Sequence, residues 1–361
     1  MYVTSIDELR KQVVACQSGT LVVLAGEKGF SYASLQPILQ EAKVPIIGAF
    51  FPGLIAENEL HYTGFLLLHF RSEAEVYLFD SKDISSIKFR DSAIKQGTSL
   101  VLLDGLASEN QAFLNALFYE LGQSIKFIGG GAGSLDLVQK PCVFDAQGIY
   151  QNKALVLLMK SRVAIGIQHG YTRLAGPMIA TATKASKVAE LNWENAYDCY
   201  SDAVNGDSPI PISKEDFFSV AKGYPLGISR KGHEDIVRDP ISVDEDGVLN
   251  CIDDVPENAA LYILKGEQEK LLEAAVASCN DAVGQVDGKV EHCLLIDCVS
   301  RVLYLGDEFS REINAATDAI HSKYPKLHAK GILSLGEIST YKDGRLELYN
   351  KTFLTTLVYD K

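Results

Sequence analysis

Apolar and polar positions along the chain switch repeatedly between two periods. Ser5, three residues before Glu8, has the spacing of a capping box. It predicts a helix to about Ser18 with Ile6, Leu9, Val13 and Val14 on one face. A short β-rich run, 21–25, is followed by a helical stretch at 32–42 and a strand at 44–51. Residues 61–71 and 75–79 read as a hairpin. A strand at 100–104, a helix at 110–121 and a strand at 125–128 come next.

Further strands at 143–144, 154–159 and 164–168 follow with only turn residues between them. Consecutive strands without helices argue against a doubly wound parallel sheet. They predict an α+β architecture of mixed or antiparallel sheets flanked by helices. Later helices are expected at 194–204, 267–282 and 307–322, and strands at 293–299, 332–335 and 353–358. The turn-rich 205–211, with Pro209 and Pro211, suits a connection near a domain junction. No short-period repeat is visible.

A chain of 361 residues is long enough for two domains. Its 47 acidic and 34 basic residues give a formal charge of −13. Such a chain repels nucleic-acid phosphates and anionic membranes unless it carries a basic patch. The densest basic stretch, Arg230, Lys231 and His233, runs straight into Glu234 and Asp235. The opening residues lack a signal-peptide pattern, and no apolar run reaches a membrane-spanning length. Seven cysteines, an odd number, suit reduced thiols, and a cytoplasmic location is expected.

The glycine run Gly129, Gly130, Gly131 with Gly133 follows a strand, as a phosphate loop would. It matches neither the dinucleotide nor the P-loop pattern, so a tight strand-end turn and a ligand-contacting loop both stay open. No Cys-x-x-Cys or His-Glu-x-x-His occurs, so no metal site is expected. Cys298 ends a strand near Arg301, which could lower a thiol pKa. No histidine stands at catalytic spacing, and a buried, inert thiol is favoured. Arg301, Glu337 and Asn350 flank strands. An arginine fork takes a carboxylate, a glutamate an ammonium, and an asparagine gives both donor and acceptor, so the three could clamp an amino acid. The alternative is an internal salt bridge between Arg301 and Glu337.

Over nearly its whole length the chain resembles the FIST-domain family of intracellular sensory modules. The resemblance rests on Cys298-Val299-Ser300-Arg301, Leu305-Gly306, Gly331, Gly336-Glu337-Ile338 and Asn350-Lys351-Thr352. Residues 127–133, 224–228, Arg238-Asp239-Pro240 and Asp246-Gly247 support it. The family's early Gly-Cys-Ser/Thr-x-Gly-Glu pattern becomes 48–54 here, without its small polar residues and its glutamate. At the junction, Asn192-Trp193 replaces a more usual Asp-Gly. Phe50, Phe51 and Leu54 therefore line an apolar pocket or fill core.

The resemblance implies two domains, 1–193 and 194–361, and a non-enzymatic sensor of a small ligand. The implied ligand set is Cys298, Arg301, Glu337, Asn350 and Thr352, with Gly129, Gly130 and Gly131 opposite. The output would pass to a signalling partner such as a histidine kinase or a cyclic-dinucleotide enzyme. Some members of the family bind haem and sense nitric oxide. Haem is therefore a possible cofactor, with His169 or His61 as axial ligand. A cysteine-dependent enzyme using Cys298 is the third reading.

Overall fold

The computed structural model describes residues 1–340 and 344–360. It is a mixed α+β fold, as the run of consecutive strands predicts. Three six-stranded sheets and one eight-stranded sheet organise it.

The three six-stranded sheets share one plan, built by three stretches of chain, 20–80, 97–168 and 289–360. In each stretch two parallel strands are joined by helix. These are Thr20–Gly26 with Ile46–Phe51, Gly97–Asp104 with Ile125–Ala132, and Lys289–Cys298 with Ala329–Ser334. A hairpin follows, and then a strand that returns antiparallel to the first strand of its own pair. The return strands are Phe65–Phe70, Lys153–Met159 and Phe353–Asp360.

The hairpins do not stay with their own units. The hairpin Gly53–Ala56/Glu59–His61 extends the third sheet, pairing with Ala329–Ser334. The hairpin Val143–Asp145/Ile149–Tyr150 extends the first sheet, against Ile46–Phe51. The hairpin Glu337–Thr340/Leu346–Tyr349 extends the second, against Ile125–Ala132. Edge strands cross over in the same way. Ala74–Asp80 closes the second sheet and Arg162–Gln168 the third, while Tyr2–Val3 closes the first. The predicted hairpin 61–71/75–79 is therefore not one: Phe65–Phe70 and Ala74–Asp80 belong to different sheets. The strand positions were legible; their partners were set by distant segments.

The inner faces of the three sheets meet in one core, where Leu24 and Ile47, Leu102 and Leu155, and Ile296 and Leu354 pack together. Helices cover the outer faces. Asn110–Leu121 buries Phe113, Leu114 and Leu117 on the second sheet, and Gln268–Gln285 and Phe309–His321 cover the third. The first helix, Ile6–Ala15, has the predicted cap: Ser5 Oγ accepts from the Glu8 amide at 3.2 Å. Phe51 and Leu54 are core residues of this assembly, and Phe50 packs on Phe144.

The eight-stranded sheet is inserted between the second and third units. Its long strand Thr172–Lys184 pairs with Ala260–Lys265 and with Lys187–Leu191. Position 193/194 falls inside this sheet, at the turn between Lys187–Leu191 and Glu194–Asn195. The two turn residues, Asn192 and Trp193, have φ of 53° and 64°, and the Trp193 side chain is 78% exposed. That backbone costs a non-glycine residue about 1–2 kcal/mol, against about 0.5–1 kcal/mol of extra chain entropy for glycine. Trp193→Gly is therefore expected to stabilise the fold by roughly 0.5–1 kcal/mol in urea unfolding. A loss of stability would contradict this reading of the turn.

Candidate functional site

Parallel strands present a crevice outside their carboxyl ends. The register sets Cys298 beside Ser334 and Asp104 beside Ala132 at two such ends. Between them lies a cavity of about 300 Å³. Segment 105–111 walls it from the second unit, 298–300, 335–336 and Asn350 from the third, and 185–186 and 251–254 from the inserted sheet.

Of the residues expected to hold a ligand, Cys298 and Asn350 line this cavity. Asn350 is 2% exposed. Its Nδ2 donates to Asp253 Oδ2 at 2.7 Å and to the Tyr349 carbonyl at 3.0 Å, while its Oδ1 has no partner. Asn110, 3% exposed, does the same from the other wall. Its Nδ2 donates to the Asp104 carbonyl at 3.0 Å and its Oδ1 is unpartnered. Burial pushes the Asp253 carboxyl upward, against the pull of Arg238 and of the Asn350 hydrogen bond. Burial, with the Glu337 carboxylate nearby, holds the Cys298 thiol protonated, so it is not a poised nucleophile.

Arg301 lies behind the wall and does not reach the cavity. It is fully buried, and its two terminal nitrogens make four hydrogen bonds within the protein. It donates to the carbonyls of His169 at 2.6 Å, Leu271 at 3.1 Å and Lys351 at 3.2 Å, and pairs with Glu312. Its Nε stands 3.3 Å from Asp297. An internal ion pair does exist, then, but its partner is Glu312 rather than Glu337. Burial and the Glu312 charge push the Asp297 carboxyl well up, so it keeps its proton and the group is neutral overall.

Glu337 and Thr352 are spent on each other: Oε2 accepts from Thr352 Oγ1 at 2.8 Å and from its amide at 3.2 Å. Ser334 Oγ donates to the other carboxyl oxygen. Burial raises the Glu337 carboxyl to about 7 despite these bonds.

The glycine run is not a loop but the end of the strand Ile125–Ala132, in the middle of the second sheet. Gly129 has φ of 154°, and a Cβ there would sit 1.9 Å from the Val101 carbonyl oxygen. Gly130 pairs with Glu337, and the Gly131 amide donates to the Gly336 carbonyl at 2.8 Å. These glycines let the exchanged hairpin dock and so place Leu335 and Gly336 in the cavity wall.

The chain is matched by the FIST N domain over residues 20–194 and by the FIST C domain over 196–340. It belongs to the FIST family. No curated protein matches it. FIST domains are signal-transduction sensory domains and are not typically enzymatic. Among the described residues, no helix of this FIST chain is long and apolar enough to cross a membrane. No cluster of three or more His, Cys, Asp or Glu side chains among them could hold a metal ion.

Haem fits the cavity poorly. No lining residue is His, Met or Tyr, burial pushes both lining thiols, Cys251 and Cys298, up so that they keep their protons, and no Lys or Arg is there to meet the propionates. His169 is buried beside Arg301, with Nδ1 accepting from the Tyr171 amide at 2.9 Å, and burial lowers its pKa to about 4. His61 lies in the edge hairpin of the third sheet, 3.1 Å from the Ala56 carbonyl oxygen.

Three residues carry more than the sequence disclosed. Asp239, in the Arg-Asp-Pro triplet of this FIST chain, is the buried partner of Lys351 at 3.1 Å and of Ser300 Oγ at 2.7 Å. Arg238 supports the wall from behind, with Nε on the Asp254 carbonyl at 2.9 Å and Nη1 on that of Leu348 at 3.3 Å. Asp253 stands in a turn-rich stretch with no periodic signal. The run Asp253-Asp254 is its only mark.

Arg301→Met leaves Glu312 without its buried cation, and is expected to cost about 3–5 kcal/mol in urea unfolding. A cost below about 1 kcal/mol would contradict the structural role. Glu337 gives a pH test. Its folded value of about 7 exceeds the ordinary 4.5, so the native state binds the extra proton and its contribution is lost as pH rises through that window. Stability relative to Glu337→Gln is expected to fall by about 3 kcal/mol between pH 4.5 and 7.5. A flat difference would mean that Glu337 stays ionised.

Proposed function

We propose that this protein senses a small molecule held in the cavity between the carboxyl ends of its second and third parallel pairs. One observation carries the reading. Two asparagine side chains on opposite walls, Asn110 and Asn350, are buried there with partnerless acceptor oxygens. A buried acceptor left unpaired costs about 1–3 kcal/mol, which a ligand donor would recover. The size of the cavity suits a metabolite rather than a macromolecule.

The walls come from three bodies of the fold, so a ligand bridging them favours the arrangement in which all three are closed. That bias is what a partner protein can read. A histidine kinase or a cyclic-dinucleotide enzyme is the kind of partner the family resemblance suggests. An amino acid is a weaker candidate than the sequence implied, because Arg301 is unavailable to its carboxylate.

Native mass spectrometry of protein incubated with a filtered small-molecule cell extract tests this. The expected result is a bound mass of at most a few hundred daltons on the wild type, absent from Ser186→Phe, which fills the cavity from its lining. The same adduct on both proteins, or none on the wild type, would overturn the proposal.

A further inference from the structure

The chemistry of the cavity wall narrows the ligand class, on the reading that this cavity is the ligand site. Among the described residues, the two buried side-chain atoms of its lining that have no partner are both oxygens. Asn350 has spent both N–H groups, on Asp253 and on the Tyr349 carbonyl, and Asn110 has spent one on the Asp104 carbonyl. Each is left with a buried oxygen that has no partner. Asp253 and Asp254 add carboxylates to the same wall, and no Lys, Arg or His is among the lining residues.

The cations nearby are already committed elsewhere. Lys351 is fully buried on Asp239 and on the Lys222 carbonyl at 2.9 Å. Arg301 is held by Glu312, Asp297 and three carbonyls. Arg238 stands behind Asp253 with its guanidinium tied to the carbonyls of Asp254, Val237 and Leu348. Its charge faces Asp253 from behind. A ligand carboxylate or phosphate would meet this wall with no side-chain cation to hold it. Beside these groups the lining is apolar, through Leu106, Ile241, Val299 and Leu335.

We infer that the cavity takes a protonated alkylamine. Its ammonium group lies against Asp253 and Asn350 Oδ1, its hydrocarbon chain against the apolar lining, and a second N–H, where present, is accepted by Asn110 Oδ1. An ammonium brings three donors and no acceptor, which complements the unpartnered oxygens of the wall. It also adds a second positive charge beside Asp253, whose carboxylate burial disfavours.

Isothermal titration of the full chain at pH 7.5 tests this with pentylamine and 1,5-diaminopentane against pentanoate and 1-pentanol. These four probes share a chain length and differ in the head group. Both amines are expected to bind at least tenfold more tightly than pentanoate and pentanol. Asp253→Asn should remove at least tenfold of the amine affinity with little effect on pentanol. Asn110→Ala should weaken the diamine more than the monoamine, and serves as the second variant if Asp253→Asn does not fold.

Equal or tighter binding of pentanoate or pentanol overturns the amine class, as does amine affinity unchanged in Asp253→Asn. Absence of heat with all four probes also overturns it. The cavity as the ligand site stands or falls separately, on whether Ser186→Phe loses the metabolite adduct.

Discussion

Exchange of hairpins between the three repeated units is the constraint on which the rest of the structure depends. Each six-stranded sheet is completed by a hairpin from another unit, and each crossing satisfies backbone groups that an isolated unit would leave as an open edge. The first unit completes the third sheet, the second completes the first, and the third completes the second. No unit can close its own sheet. The boundary between the two FIST domains marks a position in the sequence, at a two-residue turn, while the second, third and inserted sheets hold strands from both sides of it. The cavity inherits this property, since its walls come from both domains.

The best-kept sequence motif works in service of that arrangement. Arg301 ties the carbonyls of His169, Leu271 and Lys351 to Glu312 and Asp297. Removing a partner from a guanidinium sealed from water is costly, so five segments are fixed around one point. Asp239 does the same for Lys351 and Ser300. Glu337 joins the exchanged hairpin to Thr352 and Ser334. Residues whose chemistry suggests ligand binding are thus largely the frame of the cavity, and Asn110, Asn350 and Asp253 are polar side chains of its lining.

Most elements were legible in the sequence because they rest on local signals. The capped first helix and the helix Asn110–Leu121 fall where periodicity puts them. Strand positions were legible too, but a strand's periodicity does not name its partner. Phe65–Phe70 and Ala74–Asp80 look like a hairpin and serve different sheets for that reason. The repeat was hidden because units of this length share strand order rather than residues, and 169–288 separates the second from the third. Cys298 and Asn350, singled out because they flank strands, line the cavity. Arg301 was misplaced because one sequence cannot reveal Glu312, eleven residues on, as its partner. Asn110 and Asp253 were missed because an amide that opens a helix and an aspartate in a turn look the same whether they cap, hydrate or bind.

Native-state hydrogen exchange on the full chain tests the central claim, that the two FIST domains form one cooperative unit with the cavity at their seam. The informative amides are in Thr20–Gly26 and Ile46–Phe51 of the N domain and in Lys289–Cys298 and Ala329–Ser334 of the C domain. The most protected amides of all four strands should exchange through a single opening, with the same free energy and the same urea dependence as global unfolding. Two separate openings, with the N-domain strands exchanging at low urea while the C-domain strands stay protected, would contradict the account.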